Sequence, residues 1–137
     1  MAVLFPNTSI TIYNHYFDNA NNIDKYKRTV IEGCDWKGKR NSTVSDKGLL
    51  LADSVLIFVN KSEKYISPKH FRSLSDAKRT SFFTFSIGDK IVKGEVSFEI
   101  TGTKPFSLAD LDKNFDEVIT IKSANTNLSG HYEIEGV

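Results

Sequence analysis

Gly33-Cys34-Asp35-Trp36-Lys37-Gly38-Lys39 reproduces most of a glycine-rich phosphate loop, in which backbone amides cradle phosphates and a lysine reaches the last of them. The match fails at its chemistry. Arg40 stands where a serine or threonine would hold magnesium, Trp36 crowds the amides, and Asn41-Ser42-Thr43-Val44 favours a strand over the helix that must follow. The stretch therefore reads as a basic strand or turn. His15, His70 and His131 lie in three separate segments without metal-ligand spacing, and no cysteine or carboxylate pattern supports them. Cys34 is the single cysteine, which excludes an internal disulfide framework and a multi-cysteine metal site. It has no histidine near it in sequence and reads as a small packing residue. No spacing among the serines marks a nucleophile with its base. The expectation is a non-enzymatic chain with no catalytic residue, cofactor or metal.

Two aromatic groups have a binding reading as well as a packing one. Phe82, Phe83 and Phe85, close to Lys78 and Arg79, would suit a stacking platform for single-stranded nucleic acid. The same spacing describes a strand that inserts alternate rings into a core, and this is the preferred reading. Trp36 among Lys37, Lys39 and Arg40 invites the same comparison. A rim position in a protein interface explains it equally well, since Trp and Arg are enriched there.

The elements that must carry these residues are mostly strands. Ser9-Ile10-Thr11-Ile12-Tyr13 alternates polar and apolar side chains, as a half-buried strand does. Asp18 to Asn22 reads as a turn and Tyr26 to Cys34 as the returning strand. Trp36 to Val44 reads as a twisted strand leading to a turn at Ser45-Asp46-Lys47-Gly48. Val55 to Val59 is the most apolar stretch and predicts a strand buried on both faces. Residues 60–81 break the pattern and predict a long loop with a helical turn or two around Phe71, Leu74 and Ala77. Strands are expected again at Phe82–Ile87 and, after a turn at Gly88-Asp89, at Ile91–Gly94, then at Val118–Lys122 and Gly130–Ile134. Between them Ser107 and Asp110 have capping-box spacing, and Leu108, Leu111 and Phe115 share a face, so one short helix is expected near 107–115. The fold class is mainly β: a small barrel or sandwich-like domain.

A chain of 137 residues forms one domain, here 1–137, with enough length to bury a core. The N-terminus lacks the pattern of a signal peptide and no apolar run has membrane-spanning length, so a soluble protein made in a cytosol is expected. Net charge is +1, but it is unevenly spread: residues 25–79 hold thirteen Lys/Arg against six Asp/Glu, and residues 106–137 hold two against six. Such asymmetry fits either an ordinary solvated surface, head-to-tail complementarity in an oligomer, or a basic face beside a polyanion.

Several stretches, in their order, resemble the small head–tail connector proteins of tailed bacteriophages, often labelled minor capsid proteins. They are Leu4-Phe5-Pro6-Asn7 with Ile10 to Tyr13, Asp24 to Ile31, Trp36 to Arg40, Ser45 to Asp53, and Gly88 to Gly94. The terminal His131 to Gly136 is similar to that family's closing strand, although the family's approach to the histidine is longer and more basic. The resemblance covers most of the chain and its motifs are structural.

It implies a non-enzymatic part of the virion neck, made in the bacterial cytoplasm. Such a protein forms a homo-oligomeric ring between portal or adaptor proteins above and tail terminator or tail proteins below. Within the group the stopper, or head-closure protein, is favoured, because stoppers resemble compact β-barrels with a long loop that can project into the channel. Residues 60–81 are the candidate loop, and Lys61, Lys64, Lys69, Arg72, Lys78 and Arg79 would then meet packaged double-stranded DNA through sequence-independent phosphate contacts. Trp36, Lys39, Arg40 and His131 are the candidate interface residues. A collar protein, a tail terminator and a small β-barrel nucleic-acid-binding module are the alternatives.

Overall fold

The computed structural model describes residues 6–45, 48–127 and 130–137, and side-chain surroundings outside 39–53. Its six strands are β1 (Thr8–Asp18), β2 (Ile23–Ser45), β3 (Gly48–Asn60), β4 (Lys90–Lys93), β5 (Val118–Asn125) and β6 (His131–Gly136). They close into an antiparallel barrel in the order β1-β2-β3-β6-β5-β4, with β4 returning to β1. The fold is therefore mainly β. The predicted turn at Ser45 to Gly48 includes Asp46 and Lys47, which lie outside the described residues.

The alternation in β1 sends Ile10 and Ile12 into the barrel, where they join Cys34, Ile57, Val59, Ile91, Ile119, Ile121 and Ile134. Thr11 and Tyr13 have the opposite parity and are also buried. The reason is a second layer. Residues 94–107 and helix α3 (Leu108–Asn114) lie over this outer wall, and Tyr13 and Val92 pack there with Ile100 and Leu111. The Tyr13 hydroxyl donates to the Phe98 carbonyl at 2.6 Å, and Arg28 Nε donates to the Val96 carbonyl at 2.6 Å. The predicted capping box starts α3: Asp110 N–H donates to Ser107 Oγ at 3.3 Å, and Ser107 N–H to Asp110 Oδ2 at 2.9 Å.

The turn after β1 also forms as expected. Asp18 Oδ1 accepts from the Ala20 N–H at 3.0 Å, Asp18 Oδ2 accepts from Asn21 Nδ2 at 2.8 Å, and Asn22 takes φ of 56°. Tyr26–Cys34 and Trp36–Val44 belong to one long strand, β2, which changes partner. It pairs with β1 up to Cys34 and with β3 from Asp35 onward. The change coincides with a register shift opposite Thr8–Ile10 and with Gly33 at φ 71°, a β-bulge that bends the strand around the barrel corner. Beyond Val55, where β3 leaves β6, the β2–β3 ladder continues alone to the Ser45–Gly48 pair.

Two expectations are corrected. Residues 55–59 are not buried on both faces: Ile57 and Val59 are in the core, whereas Phe58 is half-buried on the outer wall, against His131 and Lys37. A barrel strand has only one inner face, unlike a strand sandwiched between helices. Phe82–Ile87 is not a strand either. It makes one isolated parallel bridge, Tyr65 to Phe83, because the β1–β4 pairing has already closed the barrel and left no edge to receive it. Phe83 and Phe85 enter the barrel through its open end and meet Tyr65 and Tyr132, with ring centres 4.9–6.1 Å apart.

Candidate functional site

The segment between β3 and β4 forms a cap on one end of the barrel. It contains the short helices α1 (Pro68–Ser73) and α2 (Asp76–Arg79), which fulfil the expected helical turns. Phe71 on α1 is fully buried and meets the Tyr16 ring edge-on at 6.4 Å. Asn14 ties the cap to β1: its Nδ2 donates to the Thr84 carbonyl at 2.6 Å and to Asp89 Oδ2 at 2.9 Å, and its Oδ1 accepts from the Thr84 N–H at 3.1 Å. Burial raises the Asp89 carboxyl above its ordinary range against the pull of these hydrogen bonds.

Lys61, Lys64, Lys69, Arg72 and Lys78 are all exposed on this cap. Lys61 lies 6.0 Å from the centre of the Tyr132 ring, and Arg72 donates to Ser86 Oγ at 3.3 Å. Arg79 departs from the group. Its side chain is 6% exposed, and it donates to the carbonyls of Phe71, Arg72 and Leu74 while pairing with Asp76 at 2.5 Å. This arginine holds the cap together, because at the end of α1 the Phe71 carbonyl accepts only the Leu74 N–H at 3.4 Å from the backbone, and Arg79 supplies further donors to it and to the Arg72 and Leu74 carbonyls. It does not face outward.

Of the four candidate interface residues, Trp36 is corrected: it is 7% exposed and belongs to the barrel core. Its even parity with Cys34 in β2 turns it inward once the bulge at Gly33 has set the register. His131 is half-buried, its ring 5.4 Å from that of Phe58. The side chains of Lys39 and Arg40 lie outside the described residues; their backbones pair with Ser54 and Asp53. Cys34 is buried, and desolvation pushes its thiol up to about 12, which suits a packing residue and not a nucleophile. Residues 33–38 of the phosphate-loop look-alike are a strand throughout.

Among the described residues no group of three or more His, Cys, Asp or Glu side chains is arranged to hold a metal ion, and no helix is long and apolar enough to cross a membrane. His15, on β1, pairs with Asp24 at 2.7 Å, while His70 sits on α1 and His131 on β6. One residue of the cap's surroundings escaped the sequence reading. Lys27 of β2 reaches the cap and donates to the Phe82 carbonyl at 2.6 Å. Its partner is fifty-five residues away in sequence, so no local spacing announces it.

The cap and its basic residues lie well within the reach of one family model, which describes a family of unknown function, DUF6751, and matches residues 5–137. The chain belongs to that family. No curated protein and no solved structure matches it. The surface of this DUF6751 protein carries its charge unevenly. The cap segment 61–81 carries six Lys/Arg against two Asp/Glu, and the outer segment 95–117 carries two against six. One closes a barrel end and the other covers the outer wall.

Proposed function

We propose that this DUF6751 protein is a structural part of a bacteriophage neck, a stopper that forms a ring between portal or adaptor and tail and closes the DNA-filled head. The observation that carries the reading is the exposed basic set on the cap, Lys61, Lys64, Lys69, Arg72 and Lys78, mounted on a closed barrel. Repeated around a ring, five exposed cations per copy give a positive rim, and its contacts to phosphates are sequence-independent and sensitive to salt. The acidic outer segment offers a neighbouring copy a surface of opposite sign, which favours head-to-tail association. The sequence resemblance to connector proteins supports the same assignment. The protein acts there without catalysis or a cofactor, inside the virion, after synthesis in the host cytoplasm.

The single-stranded nucleic-acid module is less well supported, because three of the rings it would use, Trp36, Phe83 and Phe85, are buried. A collar or terminator role differs only in ring position and neighbours. The test is made on particles in which Lys61, Lys64, Lys69 and Arg72 are all replaced by Gln. The stopper reading expects fewer DNA-filled heads, with a defect that varies with salt. Filled heads that lack tails would move the role to tail docking. Absence of the protein from purified tailed particles, read by mass spectrometry, would overturn the neck assignment.

A further inference from the structure

We propose that the recess between β2 and the turn after α2 binds a phosphate-type oxyanion, held between the ammonium groups of Lys27 and Lys64. The recess has a volume of about 320 Å³, and its polar lining is Lys27, Thr29, Lys64, Thr80 and Ser81. Three stretches of chain converge on it. Lys27 and Thr29 stand two residues apart on one face of β2, Lys64 follows the end of β3, and Ser81 follows α2.

The donors at this place outnumber the acceptors. Lys27 is half-buried and donates to the Phe82 carbonyl at 2.6 Å and to Thr29 Oγ1 at 3.0 Å, which leaves one of its three N–H groups for a ligand. Among the described residues neither Lys27 nor Lys64 has a carboxylate within ion-pair distance; Asp18, Asp24 and Asp76 pair instead with Lys25, His15 and Arg79. Thr29 accepts from Lys27 and keeps its own O–H to donate, and the Ser81 hydroxyl has no protein partner among the described residues. Thr80 is already committed to the Ala77 carbonyl at 2.7 Å.

Two lysines and two residues with an uncommitted hydroxyl therefore line one opening, and Lys64 is near enough for its charge to act on Lys27. Burial, and then the charge of Lys64, push the Lys27 ammonium below its ordinary pKa. An anion shared by both lysines removes that penalty. Phosphate is the suitable class, because its several acceptor oxygens can serve converging donors from three directions, and a carboxylate has only two oxygens. The source is either free phosphate, including a monoester, or the phosphodiester of a nucleic-acid backbone. The inference does not depend on the neck reading, since an isolated chain would bind the anion whether or not it forms a ring.

The test is an amide-resolved NMR titration of the whole chain, with sodium phosphate in one arm, a short DNA duplex in a second and sodium chloride at matched ionic strength as reference. The amides of Lys27, Thr29, Lys64 and Ser81 should move together and saturate. Saturation with phosphate identifies the free or monoester form; saturation at the same amides with the duplex alone identifies the phosphodiester. Lys64→Ala, an exposed change that leaves the remaining spectrum in place, should weaken binding about tenfold, the scale of one charge-assisted hydrogen bond. Lys27→Met should weaken it further, and if that variant does not fold, Lys64→Ala alone decides. An equal response to chloride, or an unchanged titration in Lys64→Ala, overturns the site.

Discussion

Arg79 lies with its guanidinium carbon 4.1 Å from the centre of the Tyr16 ring, so a cation from the cap is stacked on an aromatic ring of the barrel wall. The same guanidinium lies 5.6 Å from the Phe71 ring centre and donates to three carbonyls of the α1 region. Cap geometry and cap attachment thus depend on one side chain. Arg79→Ala should cost about 2–4 kcal/mol, because it leaves acceptors unsatisfied and removes the stacking contact. Arg79→Lys should recover little, since an ammonium cannot copy the planar fork. Chemical denaturation measures the loss, and hydrogen exchange should show it concentrated at 68–81. A cost below about 0.5 kcal/mol for Arg79→Ala, the scale of an ordinary surface change, would remove the anchoring role.

Ile57 and Phe58 are neighbours with different surroundings. Ile57→Ala should cost about 2–5 kcal/mol through lost burial and a cavity. Phe58→Ala, on the half-buried outer wall, should cost about 1–2 kcal/mol. Equal losses in a denaturant titration would contradict the one-sided burial of β3.

Gly136 sits where a Cβ would collide with Ile119 Cδ1 and come within 2.9 Å of the Thr120 carbonyl oxygen. Gly136→Ala should therefore destabilise by roughly 1–3 kcal/mol, as overpacking of a closed core does. Gly38 has nothing within 4 Å of the corresponding position and is the control. A thermal midpoint for Gly136→Ala no lower than that for Gly38→Ala would show that the β5–β6 contact is looser than described.

The acid limb of stability should carry the signature of Asp18. Its carboxyl, with only 7% of the residue exposed, is lowered to about 2 by the hydrogen bond from Lys25 and then by that from Asn21. The folded pKa is below the unfolded value of 3.8, so the contribution is present above about pH 4 and is lost as pH falls towards 2. Asp89 has the opposite sign: burial raises its carboxyl, and its contribution falls as pH rises from the unfolded value through the raised one. Denaturation midpoints measured between pH 4 and 2 should fall less steeply in Asp18→Asn than in the parent. Parallel slopes would mean that Lys25 does not hold this carboxylate in solution.

Local chemistry was readable in the chain wherever a few consecutive residues carry their own instructions. The period of Ile10 and Ile12, the Asp18–Asn22 turn and the Ser107–Asp110 capping box each depend on contacts within a few residues. Tertiary structure decided what those elements face. Phe82, Phe83 and Phe85 have the spacing of a strand, but rings that enter a barrel through its end have no ladder to join, and only the closure of β4 on β1 makes that difference. Arg79 looked like another surface cation among several until the carbonyls at the end of α1 surrounded it. Trp36 looked like a rim residue until the bulge at Gly33 set its parity inward. Lys27 and Lys64 became neighbours only through the meeting of β2 with the cap. Periodicity fixes which residues share a face, whereas register and closure are long-range pairings that determine whether the face looks into the core, into a neighbour or into water.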